Sequence, residues 1–331
     1  MPDVLLVLAT STGGVGRHVQ SLAAGLTALG HAVTVAGPAS TLASFAFPRS
    51  VEVEIGGRPH PVRDAVALRA LRALAGHADV VHAHGLRAGA LAVLVPGPVV
   101  VTLHNAVEGR LGAVLERLVA HRARVVLAAS DDLADRARSL GATDVRAAPV
   151  AAPLLRPTGV DPGLGRPLVL AVGRLHPQKG YGTLLAALPL LRGAVVAVAG
   201  DGPLAVELQA AAPSVRWLGA REDVADLLAA ADVVVLPSVW EARSLTAQEA
   251  LRAGRPLVAT AVGGTPRLVG DGAVLVPPGD PVALGTAVRR LLDDPAAAAA
   301  LAARGLAVAA AFPTEQDTVA QVCALYAELL A

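Results

Sequence analysis

Short apolar runs alternate with stretches of helical periodicity along most of this chain, and that alternation restricts its fold more than any other feature. Val4 to Ala9, Ala32 to Ala36, Val80 to Ala83, Val99 to Leu103 and Val125 to Ala128 read as strands. Helical patterns fall between them over Gly16 to Leu29, Arg63 to Ala75 and Arg110 to Arg122. Strands that are apolar throughout suit a parallel sheet covered on both faces, and connections of helical length make that sheet doubly wound. The texture changes around Pro149, Pro153, Pro157, Pro162 and Pro167, a linker composition. The pattern then restarts with strands Leu168 to Val172, Ala194 to Ala199, Val233 to Leu236, Pro256 to Thr260 and Ala273 to Val276.

The 331 residues suit two domains at ~100 to 200 residues each. The expected fold is α/β: two Rossmann-like domains facing a cleft, residues 1–155 and 156–312. A last helix, Thr314 to Leu330 in the segment 313–331, packs back on the N-terminal domain. Ligands of such sheets bind beyond the carboxyl ends of the strands, so the chemistry is expected in the strand-to-helix loops.

Composition removes several classes of function. The chain is 54% apolar with seven aromatic residues, so its cores must be built from Ala, Val and Leu. A net charge of +1, with basic residues occurring singly, leaves no excess for a polyanion, and nucleic acid is not an expected partner. One cysteine, Cys323, excludes an internal disulfide framework and a cysteine-based zinc site. The N-terminus lacks the basic flank and long apolar core of a signal peptide, and Ala88 to Val107 reads as helix end, turn and strand. A soluble, cytoplasmic protein is expected. Arg110, Arg117, His121 and Arg124 fall near one side of a helical stretch; a solvated face explains them, and a weak peripheral contact with anionic lipid is the alternative.

Three loops carry candidate chemistry. Ser11-Thr12-Gly13-Gly14-Val15-Gly16 follows the first strand and opens a helix, where glycines let backbone amides approach a phosphate. A dinucleotide site would need an acidic residue ending the second strand, which instead ends in Ala36-Gly37-Pro38. A structural glycine-rich turn remains the alternative. The matching loop of the second domain, Val172-Gly173-Arg174-Leu175-His176-Pro177-Gln178-Lys179-Gly180, holds the only lysine among 28 basic residues. Arg174 and Lys179 can converge on one anion such as a diphosphate, each contact contributing ~1.5 to 3 kcal/mol; two solvated cations are the bland alternative. In the third loop Glu241 precedes a helix that carries Glu249. Both carboxylates can accept from the vicinal hydroxyls of a ribose or hexose, or Thr246 and Glu249 can form a capping box. His82 and His84 end a strand without an acidic ligand beside them, and no metal is expected there.

Together these residues resemble family 4 retaining glycosyltransferases of GT-B fold. The likeness rests on Gly13-Gly14-Val15-Gly16, the Gly173-Arg174 to Lys179-Gly180 loop, Gly200-Asp201-Gly202-Pro203 and the Glu241 and Glu249 pair. It implies that Arg174 and Lys179 hold the donor diphosphate, that Glu249 binds the ribose and that Glu241 contacts the transferred sugar. Gly14, Ala242, Arg243, Ser244 and Leu245 complete the implied donor site. Thr102-Leu103-His104-Asn105 ends a strand as the family's cleft histidine does, which makes His104 catalytic beside Glu241; a surface histidine bonded to backbone is the structural alternative. Arg17 and His84 are the implied acceptor contacts.

The chain departs from the family pattern at Glu241-Ala242-Arg243-Ser244, where Glu-Gly-Phe-Gly is common, and at Arg267, where a glutamate is common. With no Asp-x-Asp pair to hold a divalent ion, the resemblance implies metal-independent transfer of a hexose or N-acetylhexosamine from a UDP- or GDP-sugar, with no cofactor. The acceptor would be a hydroxyl of a sugar, a lipid or a small molecule. A sugar-nucleotide epimerase and an inactive nucleotide-sugar-binding subunit are the rival readings.

Overall fold

The structure, a computed structural model, describes residues 1–11, 13–106, 109–148 and 150–331. Thr12 of the first glycine-rich loop, Val107 and the linker's Pro149 lie outside the described residues. The chain forms two compact units, Met1–Ala151 together with Pro313–Ala331, and Ala152–Phe312.

The first unit begins β1 (Asp3–Leu8), α1 (Gly14–Ala28), β2 (Ala32–Gly37), α2 (Ala39–Ala43) and β3 (Ser50–Glu52). It continues α3 (Pro61–Ala75), β4 (Val80–His84), α4 (Leu86–Ala92), β5 (Val99–Leu103), α5 (Arg110–Arg122), β6 (Val125–Ala128), α6 (Asp131–Ser139) and β7 (Val145–Ala147). All seven strands are parallel, in the order β3-β2-β1-β4-β5-β6-β7. Every residue of β4, β5 and β6 is buried, as helices on both faces require. The order reverses between β1 and β4, so the connections leaving these two strands diverge and open a crevice at their carboxyl ends.

The second unit contains β8 (Leu168–Val172), a 3-10 turn over Pro177–Lys179, α7 (Tyr181–Ala187), β9 (Val195–Ala199), α8 (Ala205–Ala211), β10 (Arg216–Gly219) and α9 (Val224–Ala230). There follow β11 (Val233–Leu236), α10 (Leu245–Arg252), β12 (Leu257–Thr260), α11 (Thr265–Val269), β13 (Val274–Val276), α12 (Pro281–Asp293) and α13 (Pro295–Ala309). Its six parallel strands run β10-β9-β8-β11-β12-β13, with the reversal between β8 and β11. Alternate residues of one strand serve opposite cores: Val169 and Ala171 pack with Leu184 and Val288, while Leu168 and Leu170 pack with Leu227 and Leu251.

The strands β3, β7 and β10 are sheet edges without an apolar run, which is why periodicity does not reveal them. The proposed basic stripe also needs correction. α5 ends at Arg122, and the backbone amide of Arg124 donates to Val99 O at 2.8 Å, so Arg124 leads into β6 instead of extending the helical face. Among the described residues no helix is long and apolar enough to cross a membrane.

The last helix, α14 (Glu315–Leu330), belongs to the first unit. Thr314 caps it by accepting from the Asp317 amide at 3.1 Å, and Asp317 accepts in turn from the Thr314 amide at 2.8 Å. A side chain on Gly25 of α1 would meet Val319 at 2.4 Å, so the glycine admits α14 against α1. Gln321 donates to Ala147 O at 2.8 Å, and Arg146 pairs with Glu328 at 2.6 Å. Tyr326 is wholly buried, with its hydroxyl 2.7 Å from His82 Nδ1. Tyr326→Phe leaves that nitrogen without its partner in an apolar setting and is expected to lower stability by about 1–3 kcal/mol. Urea unfolding followed by circular dichroism measures the loss.

Candidate active site

In the second unit the loops leaving β8, β9, β11 and β12 stack backbone on backbone at the strand ends. Gly173 N donates to Ala199 O at 2.9 Å, Val239 N to Gln178 O at 2.8 Å, and Gly264 N to Glu241 O at 2.8 Å. Gln178 adds a side-chain bond to Trp240 O at 3.0 Å. Glycine is required where these loops touch. A side chain at Gly180, at φ +62°, would lie 2.1 Å from Pro237 O, and one at Gly263, at φ +49°, would lie 2.1 Å from Glu241 O. Both contacts bear on the loop that carries Glu241, and each combines a left-handed backbone with a clash against backbone that cannot move aside.

The stacking brings Lys179 to Glu241. The ammonium donates to Glu241 Oε1 at 2.5 Å, and the Ser238 hydroxyl donates to the same oxygen at 2.7 Å. Ser238 is in turn positioned by Thr260, whose hydroxyl donates to Ser238 O at 2.5 Å. Glu241 is buried, while Lys179 keeps 22% of its side chain exposed. Arg174 is exposed on the same loop. Burial and the charges of Arg174 and then Lys179 hold the His176 imidazole below its usual pKa, so both cations act on one small region.

Ser244 and Leu245 open α10, with Ser244 Oγ accepting from Ala247 N at 3.2 Å. Thr246 is therefore inside the helix, where its hydroxyl donates to Val172 O at 3.3 Å, and the Thr246 and Glu249 capping box does not form. Glu249 is buried on α10, and Ala242 is buried beside Glu241. Arg243 is partly buried; desolvation and the neighbouring Arg252 and Arg267 guanidiniums lower its pKa, which gathers three cations in one area of this unit.

The first unit collects histidines at the reversal point of its own sheet. His84 ends β4, His104 follows β5, and His18 reaches in from α1; all are buried. The His82 and His84 rings stack at 4.3 Å, and His18 meets His84 and His104 edge-on at 5.5 and 5.3 Å. His84 Nδ1 and His104 Nε2 are 3.3 Å apart. His82 is fixed on both sides, by Tyr326 and by Thr102 Oγ1 at 2.7 Å. His18, His82 and Thr102 also line a cavity of about 180 Å³ whose other wall includes Arg146, Gln321 and Glu328. Gly14 and Arg17, at the start of α1, are exposed.

Both halves of the chain resemble known proteins. Residues 12–151 match the family model described as Glycosyltransferase Family 4, and residues 166–294 match Glycosyl transferases group 1. The glycogen synthase of Mycobacterium tuberculosis is 34% identical, covering 86% of this chain and 84% of its own. The chain belongs to glycosyltransferase family 4. A D-inositol 3-phosphate glycosyltransferase of Catenulispora acidiphila is 32% identical over 79% of this chain and 74% of its own. The crystal structure of Anabaena HepE in complex with UDP and glucose superposes with a TM-score of 0.86 at 18% identity, covering 99% of this chain and 100% of that one. The fold of this glycosyltransferase is thus GT-B, and the protein is an enzyme.

Several residues of the glycosyltransferase's candidate site carry no clear signal of their own. Ser238 is one small polar residue after a strand, and only the fold brings its hydroxyl to Glu241. Gly200 lies in the Gly-Asp-Gly-Pro motif, but only the fold shows that a side chain there would meet Gly173 O at 1.9 Å. His18 sits in helical sequence with no partner visible nearby, and only the sheet order brings it to His84 and His104.

The histidine cluster makes stability depend on pH. Burial lowers the pKa of His18 to about 4, and burial with the field of His18 lowers that of His82 to about 3; His84 and His104 lie well below 6.5 for the same reasons. The unfolded chain takes up protons near pH 6.5 that the folded cluster refuses, so stability is complete above that pH and falls as pH drops toward 4. Each histidine contributes up to about 1.4 kcal/mol per pH unit to this loss. Urea midpoints from pH 7 to pH 5 are expected to fall steeply, and more gently in His82→Gln.

Proposed function

We propose that this glycosyltransferase transfers a hexose or N-acetylhexosamine from a UDP- or GDP-sugar to an acceptor hydroxyl, retaining anomeric configuration and requiring no metal. The observation that carries this reading is the Lys179–Glu241 pair at the reversal point of the second sheet. A buried carboxylate holds the ammonium beside a loop whose other cation, Arg174, is exposed. Fixed positive charge at that point suits a departing nucleoside diphosphate, whose developing charge it stabilises without reorganisation. The relative named glycogen synthase supports hexosyl transfer, and the similar HepE structure contains UDP and glucose.

On this reading Arg174 and Lys179 bind the diphosphate, with Gly14, Ala242, Arg243, Ser244 and Leu245 completing the donor site. Glu249 accepts from the ribose hydroxyls, and Glu241 accepts from the transferred sugar while it orients Lys179. His104 has the catalytic role at the sugar, and His84 and Arg17 serve the acceptor. The leaving phosphate oxygen takes the acceptor's proton on the face from which it departs, so no separate protein base is required. Metal independence rests on the lack of an Asp-x-Asp pair and on the two cations already at the diphosphate loop.

Titration calorimetry with UDP- and GDP-sugars tests the donor site. Lys179→Ala and Glu249→Ala are each expected to weaken binding by about 1.5–3 kcal/mol, the scale of a charge-assisted hydrogen bond. Near-normal binding in either variant overturns its assignment. Transfer that persists in chelator and yields product of the donor's anomeric configuration by NMR supports the mechanism; binding without transfer would favour an inactive subunit.

A further inference from the structure

The cluster in the first unit is unusual in both composition and placement. One nitrogen from each of His18, His84 and His104 lies within 4.8 Å of the others. All three side chains are more than nine-tenths buried, at 7%, 2% and 6% exposure. Their depressed basicity keeps them neutral at pH 7, so each imidazole presents one lone pair. Among the described residues His84 Nε2 is buried without a hydrogen-bond partner, and the other nitrogen of that ring faces His104. Hydrogen bonding therefore does not use the full capacity of this cluster.

A metal ion would. Bonds of about 2.0–2.1 Å from imidazole nitrogen to zinc, at tetrahedral angles, separate two ligand nitrogens by about 3.3 Å. The His84 Nδ1 to His104 Nε2 distance is 3.3 Å, so these two rings already stand as one edge of such a tetrahedron. His18 meets both rings edge-on from a third element, α1, with a nitrogen within 4.8 Å of the other two ligand nitrogens. We propose that His18, His84 and His104 form a binding site for a divalent transition metal, Zn²⁺ in the first instance, with water as fourth ligand.

The donor set decides the class of ion. Three neutral imidazoles suit zinc, nickel or copper, whereas magnesium and calcium require oxygen ligands and are not expected to bind. Its ligands come from α1, the end of β4 and the residue that follows β5, all in the first unit. Its consequence rests on the proposed role of His104. A coordinated Nε2 lone pair is withdrawn from the sugar, so the filled site slows transfer and a chelator restores it.

Zinc titrated into the metal-free full-length chain, read by calorimetry and by metal content after dialysis, is expected to show one ion per chain. Co²⁺ in its place is expected to give the visible absorption of a tetrahedral nitrogen site, a readout that needs no variant. His18→Gln removes a ligand outside the proposed catalytic set and is expected to weaken zinc binding about 100-fold or more, given that even outer-shell changes cost 10–100-fold. Wild-type protein that takes up no zinc, or binding that survives in both His18→Gln and His84→Gln, overturns the site. Inhibition by zinc that chelator reverses and His18→Gln abolishes supports the proposal in full. Zinc bound at these histidines without slowed transfer leaves the metal site standing and overturns the catalytic assignment of His104 instead.

Discussion

Close approach of backbone to backbone at the carboxyl ends of β8, β9, β11 and β12 is the constraint on which the second unit's chemistry depends. Gly180 and Gly263 let two neighbouring loops press against Pro237 and Glu241 at distances that no side chain would permit. The loop between them is thereby clamped from both sides. Clamping gives Glu241 a fixed position despite its place outside regular structure, and Lys179 and Ser238 then share its Oε1 atom. A carboxylate buried with only a flexible ammonium nearby would be costly; here the hydroxyl and the ammonium satisfy one oxygen together.

The first unit reaches its arrangement by different means. Among its described residues there is no comparable ion pair at the sheet reversal but a set of buried neutral imidazoles, carried by strand β4, the residue after β5 and helix α1. The C-terminal helix helps to hold them through Tyr326, whose hydroxyl bonds His82 while the ring fills the core. The last residues of the chain therefore support the architecture of its first half. That role explains why a helix whose outer face is polar buries Val319, Val322, Leu325 and Tyr326 so completely.

Much of the fold was legible because it follows from local pattern. Wholly apolar runs became the central strands, with β5, β6, β8 and β11 at their expected limits. The edge strands β3, β7 and β10 were not, since a strand with one neighbour can be short and polar, whereas the apolar edge strand β13 was. The same division applies to the candidate site. The lone Lys179 in a glycine-flanked loop and the Glu241 and Glu249 pair are visible in sequence, whereas Ser238, Gly200 and His18 gain meaning only from what they touch. The Thr246 and Glu249 signature is an instructive exception, since Ser244 two residues earlier caps α10 and leaves Thr246 to bond β8.

What the sequence determined by itself is the succession of elements and the loops in which cations, acids and histidines stand, because hydrophobic period and turn chemistry act over a few residues. What the tertiary structure decided is which of those groups meet. Lys179 and Glu241 are 62 positions apart, and His82 and Tyr326 are 244 apart. Their meeting depends on strand order, on the direction of the crossovers and on glycines that admit close contact. Strand order and crossover direction are not encoded in the residues' immediate neighbours; each is a property of the packed sheet.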